Sequence, residues 1–188
     1  MTKILVFAGS IRTGSFNEKL AALAASVLKA QGADVTHISL KDYEMPLYNG
    51  DLEAASSQPE NAKKLAKLFD AQNGILIISP EYNASFTPLL KNTIDWISRV
   101  RDETKPFSKV FAIGGVSPGG FGGYRSMTQL RQFMEHGLGA LIIPEMISVR
   151  MASEAFNDNG TLKDEKLTNA LESCCSALIK RAKILGQG

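Results

Sequence analysis

Short β-type runs alternate with segments of helical periodicity along this chain, and that alternation limits it to a helix-covered parallel sheet. The runs are Lys3 to Ala8, Asp34 to Leu40, Gly74 to Ser79, Lys109 to Gly114 and Leu141 to Ile143, the last open to resumption at Ser148 to Arg150. Between the first two, Phe16, Leu20, Leu23, Ala24, Val27 and Leu28 recur at helical spacing. Ser15-Phe16-Asn17-Glu18 has a capping-box pattern, and Gly32 ends that helix. Further helices begin at Pro59, with the stripe Ala62, Leu65, Ala66 and Phe69, and at Pro88 behind a Thr87 cap. Two more run from about Tyr124 to His136 and from Asp164 to about Leu185. Lys41 to Gln58 reads as a polar loop.

Five βα units with right-handed crossovers fit in 188 residues as one domain of ordinary size. The expected architecture is α/β, a three-layer, flavodoxin-like, doubly wound sheet. Its five parallel strands take the order 2-1-3-4-5 in a single domain of residues 1–188. Gly74 to Ser79 is apolar on both faces and belongs in the centre. In this order the chain reverses between strands one and three, and ligands bind there, outside the carboxyl ends of the strands. The loops after Ala8 and Ser79 become the walls of a site.

Apolar residues make up 44% of the chain and the formal net charge is +2. Together these exclude disorder as the main state and a whole-surface attraction to nucleic acid. Runs such as Ile75 to Ile78 fall far short of a bilayer. Arg12 follows the apolar run Ile4 to Ala8, where a signal peptide needs small residues. The expectation is a cytoplasmic protein, whose sequons at Asn83 and Asn159 carry no sugar. Cys174 and Cys175 are adjacent. Cα atoms about 3.8 Å apart do not suit a disulfide, so both read as helix packing. His37 and His136 lack metal-ligand spacing and read as structural.

The first wall, Gly9 to Asn17, carries the hydroxyls of Ser10, Thr13 and Ser15, the Asn17 amide and the Arg12 cation at a helix N-terminus. Two readings stand. These groups and the free helix amides grip a phosphate monoester, or Ser15 merely caps the helix and Arg12 is solvated. Neither a G-x-G-x-x-G fingerprint nor a Gly-Lys-Ser/Thr P-loop follows the strand. The second wall, Pro80 to Thr87, sets Glu81, Tyr82 and Asn83 at the switch point. Tyr82 offers a flat surface to a planar heterocycle, or packs on a neighbour in an ordinary turn.

The third loop, Gly114 to Tyr124, contains Gly115-Val116-Ser117-Pro118-Gly119, a nucleophile-elbow pattern. Pro118 has no N–H for an oxyanion hole, and no Asp lies between Ser117 and His136, so a serine hydrolase fails. The glycines of this loop read as clearance for a ligand. A phosphoacceptor receiver needs acidic residues at the end of strand one and an Asp at the end of strand three, where Ala8-Gly9-Ser10 and Ser79-Pro80-Glu81 stand, so that reading is rejected.

With GSIRTGSFN after the first strand and PEYNASFTPLLKNTIDW after the third, the chain resembles the NADPH-dependent FMN reductase family. The branch it is most similar to is the soluble quinone and chromate reductases, with their azo-reducing relatives. The resemblance runs from Lys3 to about Ile184 and implies non-covalent FMN, with NADPH or NADH as co-substrate. By the same resemblance Ser10, Arg12, Ser15 and Asn17 hold the phosphate, and Ile11 and Phe16 line the ribityl chain. Pro80, Glu81, Tyr82 and Asn83 contact the isoalloxazine, largely through backbone groups, and Val116 and Ser117 border its pyrimidine side. It also implies a homodimer or homotetramer, with Asp95, Trp96, Arg99 and Arg101 as interface candidates, Trp96 being equally suited to the core. The third loop departs from those relatives in its extra glycine and in Pro118.

The implied activity passes hydride from NAD(P)H through FMN to quinones, chromate, azo compounds or flavins by a ping-pong mechanism. The partners are small electron acceptors, not nucleic acid or membrane. No side chain has to shuttle a proton, so no catalytic residue is named. Tyr82 and Arg125 are candidates to touch the acceptor or the pyridine nucleotide. The competing class is a flavodoxin-type electron carrier that does not itself oxidise NAD(P)H. Such carriers are strongly acidic, whereas this chain is +2. A third class is an interaction protein on the same fold that ignores FMN.

Overall fold

The computed structural model describes residues 1–186, and the last two residues of the expected domain lie outside the described residues. The elements are β1 (Lys3–Ala8), α1 (Phe16–Ala30), β2 (Asp34–Ser39), α2 (Gly50–Ser56), α3 (Glu60–Asp70), β3 (Gly74–Ile78) and α4 (Pro88–Arg99). They continue with β4 (Val110–Val116), α5 (Tyr124–Leu138), β5 (Leu141–Val149), α6 (Ala152–Ala155) and α7 (Glu165–Leu185). All pairings are parallel, in the order β2-β1-β3-β4-β5. The expected doubly wound sheet is the observed one.

Side chains alternate along a strand, and the two faces sort accordingly. Ile4, Val6, Ala8, Leu76 and Ile78 pack with α1 and α7 on one face. Leu5, Phe7, Ile75 and Ile77 pack with α3, α4 and α5 on the other. Every residue of β3 and β4 is buried, which is why their sequences are apolar without a break. Each fully buried Leu or Ile contributes roughly 1.5–3 kcal/mol, so both layers of helices are firmly held.

Two segments differ from expectation. Lys41 to Gln58 is not all loop: it contains a 3₁₀ turn, Leu40–Tyr43, and α2. No residue of α2 is buried, so it leaves no apolar period to read. It forms because Asn49 caps it, accepting from the Asp51 N–H at 2.9 Å. Glu53 then takes Arg99 Nε, Tyr48 Oη and Gln58 Nε2 on its carboxylate. The second difference is β5, which is continuous from Leu141 to Val149. Pro144 is tolerated because this is an edge strand with a register shift opposite Phe111 and Ile113. Arg131 on α5 donates to the carbonyls of Ile142 and Ile143 beside the irregularity.

The expected core placement of the cysteines holds: Cys174 and Cys175 are buried on α7. Burial pushes the Cys174 thiol up to about 12 and raises Cys175 in the same direction for the same reason. The folded chain then keeps protons that the unfolded chain releases above about pH 8.5. These thiols add stability below that pH and lose it as pH rises toward the folded values. Urea midpoints should fall as pH rises from about 8.5 to 10, and should fall less steeply in a Cys174→Ala/Cys175→Ala variant. Equal slopes in the two proteins would show that the thiols carry none of the effect.

Candidate functional site

Three loops meet at the carboxyl ends of β1, β3 and β4, at the point where the strand order reverses. They enclose a cleft of about 290 Å³. The first loop contributes Ser10, Arg12, Ser15, Phe16 and Asn17 to it, the second Pro80, Glu81 and Tyr82, and the third Val116, Ser117 and Pro118. Of the expected site residues, all but Ile11 and Asn83 therefore face this cleft. Ile11 instead borders an adjoining hollow with Leu40, Met45 and Leu89. Asn83 sits in a two-residue turn.

That turn explains the shape of the second wall. Asn83 and Ala84 both have positive φ, 51° and 64°, as a mirror-image hairpin turn requires. Tyr82 and Ser85 close it by exchanging two backbone hydrogen bonds at 2.8 and 3.0 Å. Tyr82 is left 53% exposed at the mouth of the cleft. It is not spent on packing.

The first wall departs from the capping-box reading. Ser15 makes no side-chain cap bond, although it is buried against the cleft. Glu18, its expected counterpart, turns to His37 Nε2 at 3.0 Å. The first-turn amides of an α-helix have no partner within the helix, so this N-terminus presents donors, an unengaged hydroxyl and a partial positive charge to the cleft. Arg12 is exposed and folds back on its own loop, donating to the carbonyls of Thr13 and Gly14 at 3.3 and 3.4 Å.

Asn17 has a different task from the one expected of its side chain. Its Oδ1 accepts from the Val116 N–H at 3.1 Å and its Nδ2 donates to the Val116 carbonyl at 3.0 Å. The side chain thus ties the start of α1 to the end of β4, and its main-chain amide remains for the cleft. The neighbouring Ser117 N–H is bonded to the Val149 carbonyl at 3.0 Å. Neither Val116 nor Ser117 has a free backbone donor for a ligand.

The glycines of the third loop also need correction. A Cβ on Gly115 would lie 2.9 Å from the Ser79 carbonyl oxygen, and one on Gly122 2.5 Å from Ser148 Oγ. These two make room for neighbouring protein, whereas Gly119 and Gly120 have open space around them. The Ser117 hydroxyl donates to the Gly119 carbonyl, consistent with its rejection as a nucleophile.

Sequence reasoning named Thr87 and Arg125 but missed two contacts they make behind the walls. Thr87 caps α4 as expected, accepting from the Leu90 N–H at 3.2 Å, but it also donates to the Gly9 carbonyl at 2.7 Å. That second bond fixes the first loop against the second. Arg125, on α5, gives both Nε and Nη2 to one carboxylate oxygen of Glu81. Partners separated by 44 residues in the chain leave no local signature. Among the interface candidates, Trp96 is fully buried and donates from Nε1 to the Pro46 carbonyl at 2.8 Å. It belongs to the core of its own chain. Asp95 pairs with Lys91 and Arg99 with Glu53.

The model of the NADPH-dependent FMN reductase family matches residues 2–154. This chain belongs to that family. It is 34% identical over 182 residues to an NAD(P)H-dependent FMN reductase of Pseudomonas aeruginosa, covering 94% of this chain and 92% of the other. It is 30% identical over 187 residues to a quinone reductase of Escherichia coli, covering 97% of each. Its fold is similar to that of FerB, a flavoenzyme NAD(P)H:acceptor oxidoreductase from Paracoccus denitrificans. There the TM-score is 0.82 and the identity 27%, with 98% of each chain covered. Membership makes this family member an oxidoreductase, with FMN as cofactor and NAD(P)H as reductant. Among the described residues no helix is long and apolar enough to cross a membrane, and no group of His, Cys, Asp and Glu is placed to hold a metal.

The cleft residues fit such a cofactor. A helix N-terminus with an unengaged Ser15 hydroxyl and a nearby guanidinium suits a phosphate. The exposed Tyr82 turn suits a flat ring system. Because Asn17 joins two of the three loops, Asn17→Ala strands the buried N–H and carbonyl of Val116. The expected cost is about 1–3 kcal/mol, read as a lower urea midpoint with an unchanged slope.

Proposed function

We propose that the cleft binds FMN non-covalently and that the enzyme uses it to carry hydride from NAD(P)H to small acceptors. The observation that carries this reading is the start of α1, where Ser15 leaves the helix uncapped beside Arg12. In this reading the phosphate is held by Ser10, Arg12, Ser15 and the main-chain amide of Asn17. Phe16 lies along the ribityl chain, with Ile11 just outside the cleft. Pro80, Glu81, Tyr82 and Asn83 support the isoalloxazine, and Val116 and Ser117 border its pyrimidine side. Residues 1–188 act as one FMN-binding domain.

Bound FMN supplies two-electron redox chemistry. The protein's part is to bind, orient and expose. A cleft of about 290 Å³ sits at the small end of ligand sites, so it takes the tail and one edge of the cofactor and leaves a ring face open. Tyr82 flanks that face. One open face admits reductant and acceptor in turn, which gives ping-pong kinetics. It also excludes little, so quinones, chromate, azo compounds and flavins are all acceptors in this reading. Either NADPH or NADH serves as reductant. The reading extends to a cytoplasmic homodimer or homotetramer without nucleic-acid or membrane partners. The exposed apolar side chains of Leu47 and Ile11 support self-association.

The purified protein should turn yellow with FMN, and anaerobic NADPH should bleach it. Arg12→Ala should weaken FMN binding roughly 10- to 100-fold, the loss of one charge-assisted contact, at unchanged thermal stability. Wild-type affinity in that variant would remove Arg12 from the phosphate site.

A further inference from the structure

Glu81 is the one acidic side chain lining the cleft, and its charge is balanced in an unusual way. The side chain is only 8% exposed. One carboxylate oxygen is buried without a hydrogen-bond partner, and the other takes two donors from a single residue, Arg125. Among the described residues, that guanidinium is the only ion-pair or hydrogen-bond partner of the carboxylate. Arg125 is half exposed and is held in place from the other side by Phe121, whose ring centroid lies 4.6 Å from the guanidinium carbon. Charges in a poorly solvated wall act more strongly on their surroundings than charges in water. The pair joins a half-exposed guanidinium to a nearly buried carboxylate, so it decides how much negative charge that carboxylate presents to the cleft.

A hydride brings two electrons and one proton, so the loaded cofactor gains one negative charge when NAD(P)H becomes NAD(P)⁺. The local charge of the cleft wall then decides how readily that hydride is held. We infer that Arg125, by neutralising the buried Glu81 carboxylate, is the positioning residue that sets the reduction potential of flavin bound in this cleft. With both charges present the pair adds no net charge to the wall, whose other charged group is Arg12. Without Arg125 the pair's place contributes −1 and disfavours the reduced cofactor; without Glu81 it contributes +1 and favours it. The inference rests on FMN binding in the cleft and assigns the pair a task beyond that reading.

The test is a charge cycle on the FMN-loaded protein, read by anaerobic spectral titration against a redox dye. Arg125→Gln should shift the reduced-to-oxidised equilibrium at least tenfold toward oxidised, about 30 mV lower for a two-electron couple. Glu81→Gln should shift it tenfold the other way. Glu81→Gln/Arg125→Gln should return it to within about threefold of wild type, and Arg125→Lys should leave it there. A merely structural role would move both single variants in the same direction and make the double variant worse, and that pattern overturns the inference. So does a set of potentials that all coincide. Should Arg125→Gln fail to fold or to retain FMN, Glu81→Gln and Arg125→Lys decide alone: no rise in the former, or a fall in the latter, overturns it. A wild-type protein that binds no FMN is a different result, and defeats the reading of the cleft itself.

Discussion

The side-chain amide of Asn17 holds the site together. It pairs with both the N–H and the carbonyl of Val116, 99 residues along the chain. An amide is the right group here because it donates and accepts on one planar head, matching a strand's main chain. The bracket is buried, so neither bond competes with water, and losing it would leave two unmet polar groups. It sets the distance between the start of α1 and the loop that follows β4, two of the walls of the cleft. Thr87 does the same on the other side, joining Gly9 to the start of α4. Two short polar side chains therefore register three loops that the sheet delivers only approximately.

The sheet's contribution is direction. Five parallel strands put every strand-to-helix turn at one end, and the order 2-1-3-4-5 opens a gap between the turns after β1 and β3. Both faces are covered by helices, so the strand ends are where the sheet itself is open to a ligand. Larger hollows do exist, such as one of about 460 Å³ beside Met1, Asn73 and Lys183. That one lies at the amino ends of the strands, where no helix N-terminus points inward. Chemistry rather than volume singles out the smaller cleft.

Much of this was legible in the sequence. The strands announce themselves because central parallel strands must be apolar on both faces, and the Thr87-Pro88 cap follows from local chemistry. The walls of the cleft follow from topology and from the residues in two loops. What stayed hidden is long-range and polar. Nothing near Ser15 says that Glu18 prefers His37 across to β2, or that Asn17 will be consumed by Val116. The partnership of Glu81 with Arg125 depends on where α5 begins, which depends on how the glycine loop closes. α2 was invisible for a simpler reason, since a helix with no buried face has no period. β5 runs unbroken through Pro144 because an outer strand only has to forgo one donor there.

That irregularity has a bearing on solubility. The margin of a parallel sheet is an unpaired row of amides and carbonyls, a template on which another molecule's strand can grow. At β5 the proline supplies no N–H, the offset beside it spoils the repeat, and Arg131 occupies the two adjacent carbonyls. A stranger's strand would find neither an even spacing nor free acceptors there. The feature that looked like an interruption of the fold makes this margin of the sheet a poor template for a further strand.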